Sequence, residues 1–347
     1  MRTKNSINLK AVLQKAMVVG PDCTTRLITD GATYLRDLKL VSEFMGQLSK
    51  GGSAPFFSCE SGELLATPLG ATYLDLLGID SDGIRRSFPG HAFSPAFVAF
   101  SQHLDASRFA WDGFRPPNEM LETEIRGLQL LAKSDGYKGA VALHNRGSRK
   151  NFASLMELID SLFETSSKVL AVRVDLGFVR SQLFGGSLNY IPDANQARAY
   201  LRTMLKYLRQ KHGKMGLLAY AWKLELGPDK GYHVHLLALY DGQKACRDIQ
   251  LGQAIGEHWQ HLVTRGLGLY YNCNANKQEY WKLGIGMISH SDTELRDGLR
   301  LAAAYLTKLD ELVKLALPSP AKTFGKSKLP SAKHSGLGRP RLKKQEE

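Results

Sequence analysis

The sequence predicts an α+β fold: a central, largely antiparallel sheet with flanking helices, preceded by a mostly helical N-terminal region. Three observations carry this. Early segments such as "TYLRDLKLVSEFMGQL" and "NEMLETEIRGLQLLAKS" have helical apolar periodicity, broken by Gly/Ser/Pro stretches such as "SKGGSAPFFS". From about Asn151 the texture changes to alternating helical and strand-like runs. Within those runs, "GLLAYAWKLEL" and "GYHVHLLALY" flank "GPDKG", the mark of a tight hairpin. The chain therefore divides into a mostly helical region over 1–147, an α+β domain over 148–316 and a tail over 317–347. The tail is rich in Pro, Gly, Ser and Lys, a composition expected to be disordered when free.

Within the second region the elements follow in order. "NFASLMELIDSLFE" reads as a helix, "KVLAVRVDLGF" as a strand and "ANQARAYLRTMLKYLRQKH" as a second helix. The hairpin comes next, then a helix around "LGQAIGEHWQHLV" and two strand-like runs, "LGLYYNCNA" and "YWKLGIGMIS". A long helix is expected from Asp292 to about Leu315. The first region holds no constellation that ties it to chemistry.

At 43% hydrophobic and 23% charged residues, the composition is that of a soluble globular protein. The net charge of +13 favours a polyanionic partner, most often nucleic acid, and +6 of it sits in the tail. Four cysteines without C-x-x-C spacing argue against a zinc knuckle and suit a reducing cytoplasm. Lys10 and Lys15 interrupt the only apolar run near the start, so neither a signal peptide nor a membrane span is expected.

In "GYHVHLLALYDG", His233 and His235 alternate with Val234 and so share one face of a strand. A lone buried histidine is most often a satisfied core residue. Two on one face are costly unless something binds them, and paired neutral imidazoles suit a divalent transition metal. If the hairpin loop is Pro228-Asp229-Lys230, Glu225 falls opposite His233 and completes a His-His-Glu set. A four-residue loop would instead put Glu225 opposite Tyr232. A cupin signature also matches from Gly227 to His235, but it then needs a Glu where Leu239 and Tyr240 stand. An amidohydrolase barrel needs far more than the 112 residues that follow His235.

In the last helix, apolar residues at 295, 299, 302, 306, 309 and 313 form one buried stripe. At ~100° per residue Tyr305 stands on the border of that stripe, with Lys308 one turn on along the same flank. Alone, such a pair is ordinary amphipathic packing.

A buried H-x-H strand followed by Y-x-x-K on a helix resembles the HUH endonucleases, the rolling-circle initiators and relaxases. The resemblance is closest to the gene II-type initiators of filamentous phages (inoviruses) and their prophage relatives. It is carried by "VLAVRVDLGF", "YAWKLELGPDKGYHVHLLALYDG", "IGEHW", "LGLYYNCNANK", "GIGMIS" and "YLTKLDEL", over about residues 165–315. It implies a Mg²⁺ or Mn²⁺ ion on His233, His235 and Glu225, with Tyr305 as nucleophile assisted by Lys308. It also implies that "VRVDL" lies beside the histidine strand, where Arg173 and Asp175 would touch substrate phosphate or support a ligand. The activity implied is site-specific nicking and closing of DNA through a 5′-phosphotyrosine, initiating rolling-circle replication of a phage or prophage element. A second tyrosine, carried by many relatives four residues from the first, is replaced here by Leu301 or Leu309. Two rival readings are a catalytically silent DNA-binding regulator and a metal-dependent phosphoesterase.

The expected partners are single-stranded or supercoiled origin DNA and the host helicase and replication machinery, since "FGKS" lacks the first glycine of a P-loop. Arg198, Arg202, Lys206 and Arg209 line one side of a helix and could track phosphates. Trp222, Tyr232, Tyr270, Tyr271 and Trp281 could stack unpaired bases. In the tail, "LGRPRLKK" offers Arg339 and Arg341 as a generic phosphate-binding arm.

Overall fold

The computed structural model describes residues 30–51, 54–58, 64–108, 118–179, 192–227, 230–317 and 321–328. The first half is helical: α1 (Asp30–Lys50), α2 (Pro68–Leu76), α3 (Ser81–Ser87), α4 (Pro95–Arg108) and α5 (Asn118–Lys133). A small hairpin of β1 (Phe56–Ser58) and β2 (Leu64–Ala66) precedes α2, and β3 (His91–Phe93) precedes α4. Local chemistry sets these starts. Thr67 caps α2 by accepting from the Gly70 amide, and Pro68 follows in the first helical turn, where its missing N–H costs nothing. The apolar faces close on one core of Leu38, Phe44, Tyr73, Phe97, Phe100 and Leu128.

The helix α6 (Asp135–Thr165) is 31 residues long and is capped by Ser134. It runs without a break through position 147, where the sequence suggested a boundary. Its second half turns Phe152, Leu155, Leu158 and Leu162 onto the sheet.

The sheet is antiparallel at every described pairing, in the order β10 (Phe324–Lys326), β5 (Leu217–Gly227), β6 (Gly231–Asp241), β4 (Lys168–Phe178), β7 (Gly268–Asn272). A further strand, β8 (Gly286–Ser289), pairs with the first residues of β4 while β7 pairs with its last ones. α6 and α9 (Thr293–Lys308) cover one face; α7 (Ala194–Lys211) and α8 (Asp248–Glu257) cover the other. α9 comes close because two glycines let it: a Cβ on Gly298 would lie 1.7 Å from the Leu283 carbonyl oxygen and 2.8 Å from the Gly284 Cα.

Three expectations are corrected. The last helix stops at Lys308 rather than Leu315. Leu309–Glu311 form a 3₁₀ turn, and β9 (Val313–Leu315) pairs with β3. The apolar positions 309 and 313 still find a core, but it is that of the helical N-terminal half. Of "YWKLGIGMIS", only Gly286–Ser289 is strand. Part of the expected disordered tail, Phe324–Lys326, is the edge strand on β5. No described helix is long and apolar enough to cross a membrane.

Candidate active site

The register of the β5–β6 hairpin decides the site. Gly227 pairs with Gly231, so the loop is the three-residue one and Glu225 lies directly opposite His233. Gly231, at φ 63°, supplies the left-handed residue such a loop requires. On the other side of β6, Asp175 of β4 lies opposite His235. Directly opposed residues share a face, so Glu225, His233, His235 and Asp175 all project together.

Their atoms converge. His233 Nε2 and His235 Nε2 lie 3.4 and 3.2 Å from Glu225 Oε2. Each ring is held from behind through Nδ1, His233 by the Gly231 carbonyl at 3.0 Å and His235 by Asp175 Oδ1 at 2.7 Å. An imidazole that donates from Nδ1 presents an Nε2 lone pair, so two lone pairs and a carboxylate oxygen face one another. That arrangement is repulsive unless a cation or a proton sits among them. Glu225 Oε1 is also buried without a hydrogen-bond partner. Among the described residues these three form a group able to hold a metal, with one ligand atom from each lying within 4.8 Å of the others. The donor set and the unpaired oxygen fit a divalent ion.

The charges follow from burial and neighbours. Burial works against ionised Asp175 and Glu225, yet Arg173 and His235 hold the first below the usual carboxylate range, and His235 and His233 hold the second well below it. Burial would depress His235, but Asp175 and Glu225 together raise it above an ordinary imidazole.

Tyr305 reaches this cluster from α9. Its hydroxyl lies 3.5 Å from His235 Nε2, and the two rings meet edge to face at 5.0 Å. The side chain is 7% exposed and belongs to the core between α6, α9 and the sheet. Burial, then the charge of Glu225, raises its phenol well above 10, partly offset by Arg173. The Arg173 guanidinium lies 4.6 Å from the Tyr305 ring centroid and 3.3 Å from Asp175 Oδ1. Lys308 is placed differently from expectation. Its Nζ sits 5.2 Å from the Phe152 ring of α6, because one turn along the helix its flank meets that neighbour and not the sheet. The cation at the phenol is Arg173.

Asn274 gave no signal in the sequence, but it places that arginine. Between the stretches of β4 paired with β8 and with β7 the ladder is interrupted. The Asn274 side chain fills the gap, accepting from the Arg173 amide at 2.8 Å and donating to the Ala171 carbonyl at 2.9 Å. Lys223, buried opposite His235, is a second omission. Alternation along β5 put it on the face of Glu225, and a buried lysine there called for a carboxylate partner. The partner is Asp310.

From the first turn of α6 through β10, residues 135–327 match the YagK/YfjJ C-terminal domain, a span of more than half the chain. The chain belongs to that family. The YagK/YfjJ C-terminal domain is found in proteins of prophage regions, and its matched span contains Glu225, His233, His235, Tyr305 and the strands that carry them. No curated protein and no solved structure matches the chain.

The remaining expected contacts lie apart from the site. Leu201, Met204, Leu205 and Leu208 of α7 pack on Val174 and Leu236, the opposite sheet face, so Arg198, Arg202, Lys206 and Arg209 are not brought to the Glu225–His233–His235 cluster. Arg209 instead donates to the Tyr220 hydroxyl at 3.0 Å. Trp222, Tyr232 and Tyr270 pack on that same opposite face. Arg339 and Arg341 lie outside the described residues.

Proposed function

We propose that this protein is a metal-dependent, single-tyrosine DNA nickase that starts rolling-circle replication of a phage or prophage element. One observation carries the reading: the Tyr305 hydroxyl stands 3.5 Å from the Nε2 of His235, itself one of three atoms able to hold a divalent ion. A candidate nucleophile and a candidate metal site therefore meet at one ring.

Glu225, His233 and His235 would hold Mg²⁺ or Mn²⁺, which would neutralise phosphate charge and orient the phosphodiester. Asp175 and the Gly231 carbonyl keep both imidazoles turned inward. Tyr305 attacks phosphorus as its proton leaves to solvent. A tyrosyl O–P bond forms as the P–O3′ bond breaks, and the departing oxygen takes a proton to become a free 3′-OH. Arg173, beside the ring, offsets the charge that develops on the phenol oxygen. The ester keeps the energy of the broken bond, so rejoining needs no nucleotide cofactor.

The test is a denaturing gel of purified protein with Mn²⁺ and labelled single strands tiled across the intergenic DNA of the element. The expected product is a band shifted by the mass of the protein, stable to heat and detergent, and absent with Tyr305→Phe or EDTA. Free cleaved strands unchanged in the Tyr305→Phe variant would replace this reading with a hydrolase. Specific binding without cleavage in any metal would replace it with a regulator.

A further inference from the structure

Beyond Asp175 no described helix covers the face that carries the site. The core under α6 and α9 extends over Ala171, Leu237 and Leu239, at the opposite end of these strands. Alternation along β4 brings Gly177 to the site face after Arg173 and Asp175. On β7, Tyr271 lies opposite Asp175 and Leu269 opposite Gly177. Leu267, whose carbonyl accepts from the Val179 amide at 2.9 Å, extends the same row.

This surface has the shape of a shelf. A Cβ on Gly177 would meet no atom within 4 Å, so the floor is open. Leu269 is 40% exposed and Leu267 37%, both large apolar side chains at the rim. Tyr271 donates its hydroxyl to Glu279 at 2.7 Å, which fixes the outer end of the ring.

We propose that the shelf of Gly177, Leu269 and Tyr271 seats an unpaired base of a single DNA strand, beside the phosphate engaged by the Glu225–His233–His235 set. This rests on the nicking reading above. Chemistry selects the base over the other parts of a nucleotide. The shelf residues Gly177, Leu267 and Leu269 carry no cation to hold a phosphate, and Arg173, farther along the same face, is already engaged by Asp175 and Tyr305. What remains is an apolar floor with one aromatic side chain, the composition that takes up a flat base without reading its sequence. Gly177 lies ~6.8 Å along the strand from Asp175, two residues at the usual rise, so the base sits close to the metal set. Among the described strands β7 is also a sheet edge, and such edges pair with the strands of other chains. A second copy is therefore the competing occupant.

Full-length protein on the non-cleaving Tyr305→Phe background, with Mn²⁺, is titrated into a short fluorescein-labelled single strand of mixed sequence and read by anisotropy. Gly177→Val fills open space with a residue that strands favour, so the fold is retained; Leu269→Asp is the second variant. Each is expected to weaken single-strand binding roughly ten- to a hundredfold, with circular dichroism and Tm unchanged. Wild-type affinity in Gly177→Val overturns the proposal, as does failure of the parent to bind single strands. So does a Leu269→Asp variant that alters sedimentation but keeps its strand affinity, which assigns the edge to a second copy. If the variants lose affinity while the Tyr305-bearing protein forms no covalent adduct, the shelf stands and the nicking reading falls. Adduct formation with unchanged affinity in Gly177→Val gives the reverse.

Discussion

The ammonium of Lys223 and the carboxylate of Asp310 meet at 2.5 Å, both buried, and join the strand of Glu225 to the end of the helix of Tyr305. Lys223 is directly opposite His235 on the neighbouring strand, so the contact braces the Glu225–His233–His235 cluster and Tyr305 against each other. Removing one partner leaves an uncompensated charge in the interior. Lys223→Met and Asp310→Leu are each expected to cost about 3–5 kcal/mol, and the double variant much less than the sum. Urea unfolding of the four proteins checks this. Additive losses would show that the two charges are independently solvated.

Asp175 should matter to metal affinity without being a ligand. Asp175→Asn keeps the shape but no longer anchors the Nδ1–H of His235 with a charge, and is expected to weaken Mn²⁺ binding about 10–100-fold. Glu225→Gln or His235→Ala should abolish it, and Tyr305→Phe should leave it nearly unchanged. Calorimetric titration separates these. Equal affinity in Asp175→Asn and wild type would mean that the His235 ring needs no support.

For covalent adduct formation, the two basic residues near α9 should differ sharply. Arg173→Lys loses the planar group that lies over the Tyr305 ring, and is expected to slow adduct formation about tenfold or more. Lys308→Met, which loses only its contact with Phe152, should stay within about twofold of wild type. Single-turnover rates on an intact single strand that carries the cleavage site decide between them. The opposite order would return the assisting role to Lys308.

A pH response is expected from the other sheet face. His212 is 1% exposed, shares a hydrogen bond of 2.7 Å with the Tyr240 hydroxyl, and is lowered by burial, then by the charge of His258, to about 4. An unfolded imidazole takes its proton near ~6.5. The unfolded chain thus binds more protons between these values, and stability contributed by the neutral ring is full above pH ~6.5 and lost as pH falls toward 4. The loss is at most about 3 kcal/mol. Unfolding free energies of wild type and His212→Gln measured across that range should show a shallower slope in the variant; parallel slopes would assign the acid response elsewhere.

The sequence made some of this site legible for physical reasons. Strand alternation has a fixed period of two, so His233 and His235 had to share a face, and a loop between two glycines left few registers for Glu225. The helix of Tyr305 was equally plain from its stripe. A helical wheel, however, gives direction and not neighbours, so it could not say that Lys308 meets Phe152 while Arg173, over a hundred residues earlier, meets the phenol. Asn274 leaves no periodic trace, because its two bonds replace a missing strand at a single point. β3 and β9, at three residues each, are too short for alternation to register. Their pairing therefore hid the true end of the last helix.

That pairing also has a consequence for the chain during its synthesis. His91 lies opposite Leu315, so the two strands are separated by more than two hundred residues. The N-terminal half leaves the ribosome well before β9 exists, and the edge of β3 must wait unpaired. Leu312 and Val313, which complete its core, arrive equally late. A nascent chain can thus form its N-terminal helices early, but that half is finished only by residues that follow Tyr305. Closure of so long a loop favours slow, late assembly. A chain stalled or cut after α9 would carry the tyrosine and lack the strand that anchors the end of its helix.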